Sequence, residues 1–172
     1  NYTQWRIVSP ESSLIDLPAV DGFVAQVWTG TARTPNIFEG KRAERTFETA
    51  YLEYGIMQEL VRGTGKRMWF LHDPVEDNPR HDWEDYRRNY IATLTASLFH
   101  PAVWRYEVTP WPRRVFLGRF PAFRKDATRI PSSYATVLGV VFNQLRDMKQ
   151  ERILWEKSTP EIGIFLSDSA MF

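Results

Sequence analysis

The chain has 172 residues and a hydrophobic content of 43%, which suits one well-packed domain, whereas an eight-stranded (β/α) barrel needs roughly 250 residues. Charged residues make up 25% and aromatic residues 15% of the chain, a composition that excludes wholesale disorder. Its 22 Lys and Arg and 21 Asp and Glu residues are interspersed along the chain, which argues against a dedicated nucleic-acid binder. Because cysteine is absent and no apolar run reaches the ~18 residues of a membrane span, neither thiolate chemistry nor a membrane helix is expected.

The first of three strand-then-helix units begins with a β-rich apolar run at residues 21–28 and passes into a long loop of Gly, Thr, Pro and Asn residues. Apolar residues then recur at helical spacing over residues 42–62. Gly63 and Gly65 follow directly and predict the end of this helix.

The second unit opens with the apolar run 67–71, which predicts a buried strand, and continues into a polar, proline-containing loop at residues 72–82. Asp82 is the predicted N-cap of a helix that ends before Pro101. The third unit has a predicted strand at residues 102–108 and a late helix at residues 134–148, and a further strand is predicted at residues 162–168.

Apolar, non-alternating strands that alternate with helices predict an α/β fold with a parallel sheet and helices outside it. Repeated units of about 35 to 45 residues favour part of a (β/α)8 TIM barrel, with an open doubly wound sheet as the alternative. In both folds ligands bind at the carboxyl ends of the strands, and the chemically rich loops of this sequence follow the strands.

Glu107 is the best catalytic candidate because it is ionisable and lies in an otherwise apolar and aromatic strand. Burial of such a group costs several kcal/mol unless it is paired or used. One interpretation is a carboxylate that attacks or stabilises an anomeric carbon at the mouth of a barrel. The alternatives are a structural ion pair with an arginine such as Arg33 or Arg105, or a strand residue that points into water.

Other candidates lie directly after the predicted strands. His72 and Asp73 begin the loop after the second strand, where they are predicted to line a pocket and to hydrogen-bond a substrate hydroxyl. Histidines and carboxylates at residues 72–82 also suggest a metal site, but their spacing is unspecific. Trp28 and Trp111 lie at strand ends, where indole rings grip the C–H faces of sugars or simply pack in the core.

The aromatic strand with Trp104, Tyr106 and Glu107, the late helix at 134–148 and the run at 162–168 together resemble the end of a glycoside hydrolase of the family 42 β-galactosidase type, or an uncharacterised relative. The resemblance implies that residues 1–149 are the C-terminal part of a (β/α)8 barrel, with strands five to seven. Residues 150–161 would be a linker, and residues 162–172 would form the first strand of a flavodoxin-like trimerisation domain.

The resemblance further implies hydrolysis of an O-glycosidic bond by a retaining mechanism with two carboxylates. Glu107 would be the nucleophile, and the acid/base would precede Asn1. The residues predicted to shape the sugar site are Trp28, Arg33, His72, Asp73 and Trp111.

The expected partner is a carbohydrate substrate, together with a second copy of the chain or the rest of its own polypeptide. No cofactor or metal is expected. Neither a nucleic acid nor a membrane is an expected partner. Two alternatives stay open: a non-catalytic carbohydrate-binding or assembly module, and a metal-dependent hydrolase that uses the loop at residues 72–82.

Overall fold

The structure, a computed structural model, describes residues 11–148 and has a mixed α/β architecture. A three-stranded parallel sheet and a small antiparallel hairpin are joined by helices. In chain order the elements are α1 (Glu11–Leu14), β1 (Gly22–Trp28), α2 (Thr29–Ala32), β2 (Asn36–Phe38), β3 (Lys41–Ala43), α3 (Thr46–Val61), β4 (Arg67–Asp73), α4 (Trp83–Leu98), β5 (Arg105–Val108), α5 (Pro112–Leu117) and α6 (Ser132–Met148).

The parallel sheet keeps its strands in the order in which they occur along the chain, with β4 between β1 and β5. The pairing of β1 with β4 runs in unbroken register from Gly22 and Arg67 to Trp28 and Asp73. On the other side of β4, Leu71 is paired with Glu107. Because the sheet is pleated, residues paired in this way point to the same face, and successive residues alternate between faces.

One face of the sheet is buried beneath α3 and α4. The paired rows Ala25 with Phe70 and Phe23 with Met68 contribute to this core, and the Phe70 ring lies 4.4 Å from the ring of Tyr54 on α3. The buried members of the core cluster are Ala25, Val27, Ala32, Ala50, Tyr54, Met68, Phe70, Ala96 and Val103. We call this side of the sheet the helix-covered face.

The opposite side of the sheet is far more accessible, and we call it the open face. Val24 on β1 is 55% exposed, and Gln26 and Glu107 are also exposed. The residues of the open face are Val24, Gln26, Trp28, Trp69, Leu71, Asp73, Arg105 and Glu107. The guanidinium of Arg105 lies over the ring of Trp104, 3.8 Å from its centroid, and 5.6 Å from that of Trp69.

A second core cluster joins α6 to α4 and to the loop after β4. Tyr134, Leu138 and Val141 form one face of α6 at helical spacing and pack with Trp83 at the start of α4. The hydroxyl of Tyr134 donates a hydrogen bond to the carbonyl oxygen of Pro74 at 2.7 Å. The loop after β4 therefore packs against α6, a helix that follows β5 in the chain.

The three predicted strands and the three long helices of the described residues are confirmed, with shifted bounds. The predicted N-cap is also confirmed, since the carboxylate of Asp82 accepts a hydrogen bond from the backbone N–H of Asp85 at 3.0 Å. However, β4 extends through His72 and Asp73, which the sequence had assigned to a loop. Both residues keep the pairing with β1, and a polar residue can end a strand as easily as begin a loop.

Between β1 and α3 the sequence prediction was wrong in detail. The region predicted as a long loop contains α2 and the β2–β3 hairpin, and α3 begins at Thr46 rather than at residue 42. The hairpin turns at Glu39 and Gly40, whose φ angles are 50° and 72°. Its strands have three exposed or half-buried residues each, too few to show an apolar alternation. The predicted strand at 162–168, the linker and the second domain lie outside the described residues.

The tight pairing at the start of β1 leads to a stability prediction. A Cβ atom at Gly22 would lie 2.5 Å from the carbonyl oxygen of Arg67, a backbone atom that cannot move without disturbing the sheet. We therefore expect Gly22→Ala to lower the free energy of unfolding by about 1–3 kcal/mol, as measured by urea denaturation. Gly65→Ala is the matched control, because nothing lies within 4 Å of the added atom. Equal stabilities of the two variants would contradict this account.

Candidate functional site

A cleft of about 520 Å³ runs along β1 to the carboxyl ends of β1 and β4. Ligands bind at this end of the strands in both barrels and open α/β sheets. The polar and aromatic side chains that line the cleft are Glu11, Phe23, Gln26, Trp28, Thr31, Asp73, Asp77, Trp111 and Arg114. Three of the residues predicted to bind substrate, Trp28, Asp73 and Trp111, are thus brought together in one cavity.

Asp73 is the buried carboxylate of this cleft, with 5% of its surface exposed. One carboxylate oxygen accepts the backbone N–H of Val75 at 3.2 Å, and the other accepts the side-chain amide of Gln26 at 3.2 Å. Burial raises the pKa of Asp73 from 3.8 to about 6, although the Val75 N–H and the charge of Arg114 act in the opposite direction. Such a group can both release and accept a proton near neutral pH.

Glu107 lies on the open face one row below Asp73. Glu107 is exposed there, as in the interpretation of a strand residue that points into water, and it is not among the residues that line the cleft. Gln26 on β1 and Glu107 on β5 are both paired with Leu71, so they flank β4 at the same height. From β1, the side-chain amide of Gln26 reaches the carboxylate of Asp73, which lies two residues beyond Leu71 on β4. Glu107 occupies the equivalent diagonal position on the other flank.

The backbone just beyond Glu107 is strained. Thr109 has a φ of 59°, a conformation that β-branched residues rarely adopt, and it is buried. Its N–H donates to the carbonyl oxygen of His72 at 3.0 Å, which extends the contact between β5 and β4 by one residue. Strain of this kind persists only where the surroundings enforce it, and it clusters at functional sites.

Two tryptophans border the cleft, one held by a hydrogen bond and the other largely exposed. The indole N–H of Trp28 donates to the carbonyl oxygen of Val75 at 2.9 Å, which fixes its ring beside the loop after β4. Trp111 follows β5 and is 65% exposed. One rigid and one exposed indole at the mouth of a polar cleft offer flat apolar surfaces that suit the apolar face of a ring-shaped ligand.

His72 is not part of the cleft. It precedes Asp73 on β4 and therefore points to the helix-covered face, where its Nε2 lies 2.9 Å from the hydroxyl of Ser97. That hydroxyl donates its proton to the carbonyl oxygen of Leu94, so Nε2 is the protonated nitrogen of the ring. Burial lowers the pKa of His72 to about 3, and the ring is neutral. Its predicted contact with substrate stays a prediction.

Arg33 is also outside the cleft lining, and it is 6% exposed. Its guanidinium donates to Glu76 and Glu44 at 2.9 Å each and to Asp85. Burial acts to lower the pKa of Arg33, but the hydrogen bonds to these carboxylates raise it above its ordinary value. We call this set the Arg33 cluster. It joins the segment after β1 to the hairpin, to the loop after β4 and to α4.

The metal hypothesis has a geometric counterpart at this cluster. Single ligand atoms of Glu76, His81 and Asp85 lie within 4.8 Å of one another. The guanidinium of Arg33 contacts two of the three, and Nδ1 of His81 lies 2.6 Å from Glu76. A cation of the protein itself therefore already balances these carboxylates. His72 and Asp73, which the hypothesis also included, do not belong to the group.

The sequence missed Gln26 and Arg114 as parts of the cleft, and it singled out Asp77 as one of the carboxylates of the loop at residues 72–82. Gln26 had a signal, since it is a polar residue in the middle of an apolar strand. Asp77 and Arg114 form an ion pair between the loop after β4 and α5, a contact that no local pattern reveals.

No protein-family model matches the chain, and comparisons with curated protein sequences and with solved structures return no significant similarity. Within residues 11–148, none of the helices combines the length and the apolar character that crossing a bilayer requires.

The Arg33 cluster leads to a prediction about stability. Arg33→Ala leaves the buried Glu76 without its main cation, and loss of one partner of a buried ion pair costs about 3–5 kcal/mol. Arg88→Ala is the matched control, because Arg88 pairs with the same Asp85 from a side chain that is 70% exposed. We expect that control to cost about 1 kcal/mol or less in chemical denaturation. Similar losses of stability in the two variants would contradict the larger contribution that we assign to the buried ion pair.

The pKa of Asp73 leads to a prediction about pH. Because the folded state binds its proton more tightly than the unfolded state, the carboxyl destabilises the fold progressively as pH rises from 3.8 to about 6. Relative to Asp73→Asn, the wild-type protein should lose roughly 3 kcal/mol of stability across this window. Denaturation of both proteins at several pH values measures the difference, and His72, present in both, cancels. A difference independent of pH would disprove the raised pKa.

Proposed function

We propose that residues 11–148 are three consecutive units of a (β/α)8 barrel and that the open face contributes to a glycosidase site. The support for the barrel is the strand order. Three parallel strands adjacent in the order of the chain, with α3 and α4 on one face, are what a barrel wall requires. A doubly wound sheet needs a reversal of strand order and helices on both faces. In a barrel, the open face would point into the lumen.

The observation that carries the functional proposal is the composition of the open face at the carboxyl ends of its strands. Two carboxylates, Asp73 and Glu107, lie in adjacent rows, and two indoles, Trp28 and Trp111, lie on the cleft wall. Paired carboxylates are the catalytic groups of most glycosidases, and flat aromatic rings suit the faces of sugars. The proposed reaction is hydrolysis of an O-glycosidic bond, with a β-galactoside as the substrate that the sequence resemblance suggests.

In the proposed reaction, Glu107 is the nucleophile of a retaining mechanism. Its carboxylate attacks the anomeric carbon and displaces the leaving group. The product of this step is a covalent ester between the sugar and Glu107. Water then attacks the same carbon and releases Glu107. The exposure of Glu107 on the open face gives a substrate access to this carboxylate, and the strained Thr109 behind it fixes the end of β5.

The test is hydrolysis of a panel of aryl glycosides by the full-length protein and by its Glu107→Gln variant. We expect the variant to lose a factor on the order of 10³ or more in kcat/KM, as hydrolases do when their nucleophile is removed. Glu48→Gln is the control, because Glu48 is exposed on α3, on the other side of the sheet. It should retain full activity.

Other outcomes would decide between the alternatives. Binding of glycosides without turnover by the wild-type protein would favour a carbohydrate-binding module. Turnover that a chelator abolishes and Glu107→Gln does not would favour a metal-dependent hydrolase at Glu76, His81 and Asp85. Either result would overturn the glycosidase proposal.

A further inference from the structure

We infer that Asp73 is the acid/base partner of Glu107, so that both carboxylates of the reaction belong to this chain. The inference rests on the proposed glycosidase function and deepens it, because the sequence resemblance had implied an acid/base before Asn1. It begins from the arrangement of side chains on the open face and the position of Asp73 in the cleft.

The sheet register brings the two carboxylates to the same face of the sheet. Leu71 is paired with Glu107, and Asp73 is two residues further along the same strand, so both carboxylates point to the open face. A spacing of ~4.8 Å between strands and a rise of ~3.3 Å per residue place their Cβ atoms about 8 Å apart. Side chains that lean toward each other from such positions can reach the separation of about 5–5.5 Å that retaining glycosidases use.

A contact of Gln26 demonstrates that a side chain on a flanking strand can reach Asp73 diagonally. Gln26 stands beside Leu71 on the other flank of β4, and its amide contacts the carboxylate of Asp73 at 3.2 Å. The glutamine and glutamate side chains have the same length. Glu107 thus has the reach to approach Asp73, or a sugar between them, from the opposite flank.

The two carboxylates also lie in different environments. Asp73 is buried among Gln26, Val75 and the cleft wall, whereas Glu107 is exposed. Burial favours the protonated form of Asp73, which an acid needs, and exposure suits a charged nucleophile. Other charged groups that face Asp73 are Arg114 and Asp77, and they act on its charge in opposite directions.

The proton and electron balance is complete with these two groups and water. Asp73 gives its proton to the glycosidic oxygen as the bond from that oxygen to C1 breaks and the Glu107 carboxylate bonds to C1. In the second step Asp73, now ionised, takes a proton from water as the water oxygen bonds to C1 and the ester bond to Glu107 breaks. Both carboxyl groups return to their starting states.

The experiment measures the hydrolysis of two β-galactosides by the full-length protein and by its Asp73→Asn variant. Phenyl β-galactoside needs a proton on its leaving group, whereas 2,4-dinitrophenyl β-galactoside does not. We expect Asp73→Asn to lose a factor of roughly 10²–10⁴ in kcat/KM on the phenyl substrate and much less on the dinitrophenyl substrate. Azide should accelerate that variant and yield a β-galactosyl azide, because an anionic nucleophile needs no general base.

Asp126→Asn is the matched control, since Asp126 is likewise an aspartate paired with an arginine, Arg124, but is not among the residues that line the cleft. It should show no dependence on the leaving group. An equal loss of Asp73→Asn on both substrates, without rescue by azide, would overturn the role of Asp73. That result differs from failure of the proposed function itself, in which the wild-type protein hydrolyses neither substrate or Glu107→Gln remains active.

Discussion

The buried guanidinium of Arg33 is the interaction on which the arrangement of the cleft depends. A charge this deep is tolerated only because three carboxylates surround it, and those carboxylates come from separate parts of the chain. Glu44 follows the hairpin, Glu76 lies in the loop after β4, and Asp85 lies in the first turn of α4. The Arg33 cluster therefore fixes the segments after β1 and β4 relative to each other, and each of them contributes one residue to the cleft, Thr31 and Asp77 respectively.

The cleft and the Arg33 cluster divide the ionisable groups of this region into two classes. Those of the cluster satisfy one another, so their charges are structural. Asp73, in contrast, accepts hydrogen bonds within residues 11–148 from two neutral donors, the Gln26 amide and the Val75 N–H. A carboxylate stabilised by dipoles rather than by a direct ion pair can change its protonation state without breaking the fold. This difference separates a reactive group from a supporting one a few residues away.

Periodicity predicted the elements that bury apolar surface, namely the three parallel strands, α3, α4 and α6, and turn chemistry predicted the cap at Asp82. It failed where structure depends on contacts between distant segments. The hairpin buries little, so it left no apolar pattern, and the partners of Arg33 are 11 to 52 residues away in the chain. Asp73 and Trp28 were recognisable as strand-end residues. The orientation of His72 and the exposure of Glu107 required the strand register, and the burial of Arg33 required its distant partners.

The neighbours His72 and Asp73 show how closely the site depends on segment length. One is a neutral base packed among aromatic rings under α3 and α4, and the other is a titrating acid on the cleft wall. The two environments differ only because successive residues of a strand point to opposite faces of the sheet. Insertion or deletion of a single residue between Gly65 and His72 would exchange the two environments, presenting an imidazole to the cleft and driving a carboxylate into the core. The segment should therefore tolerate changes of composition far better than changes of length.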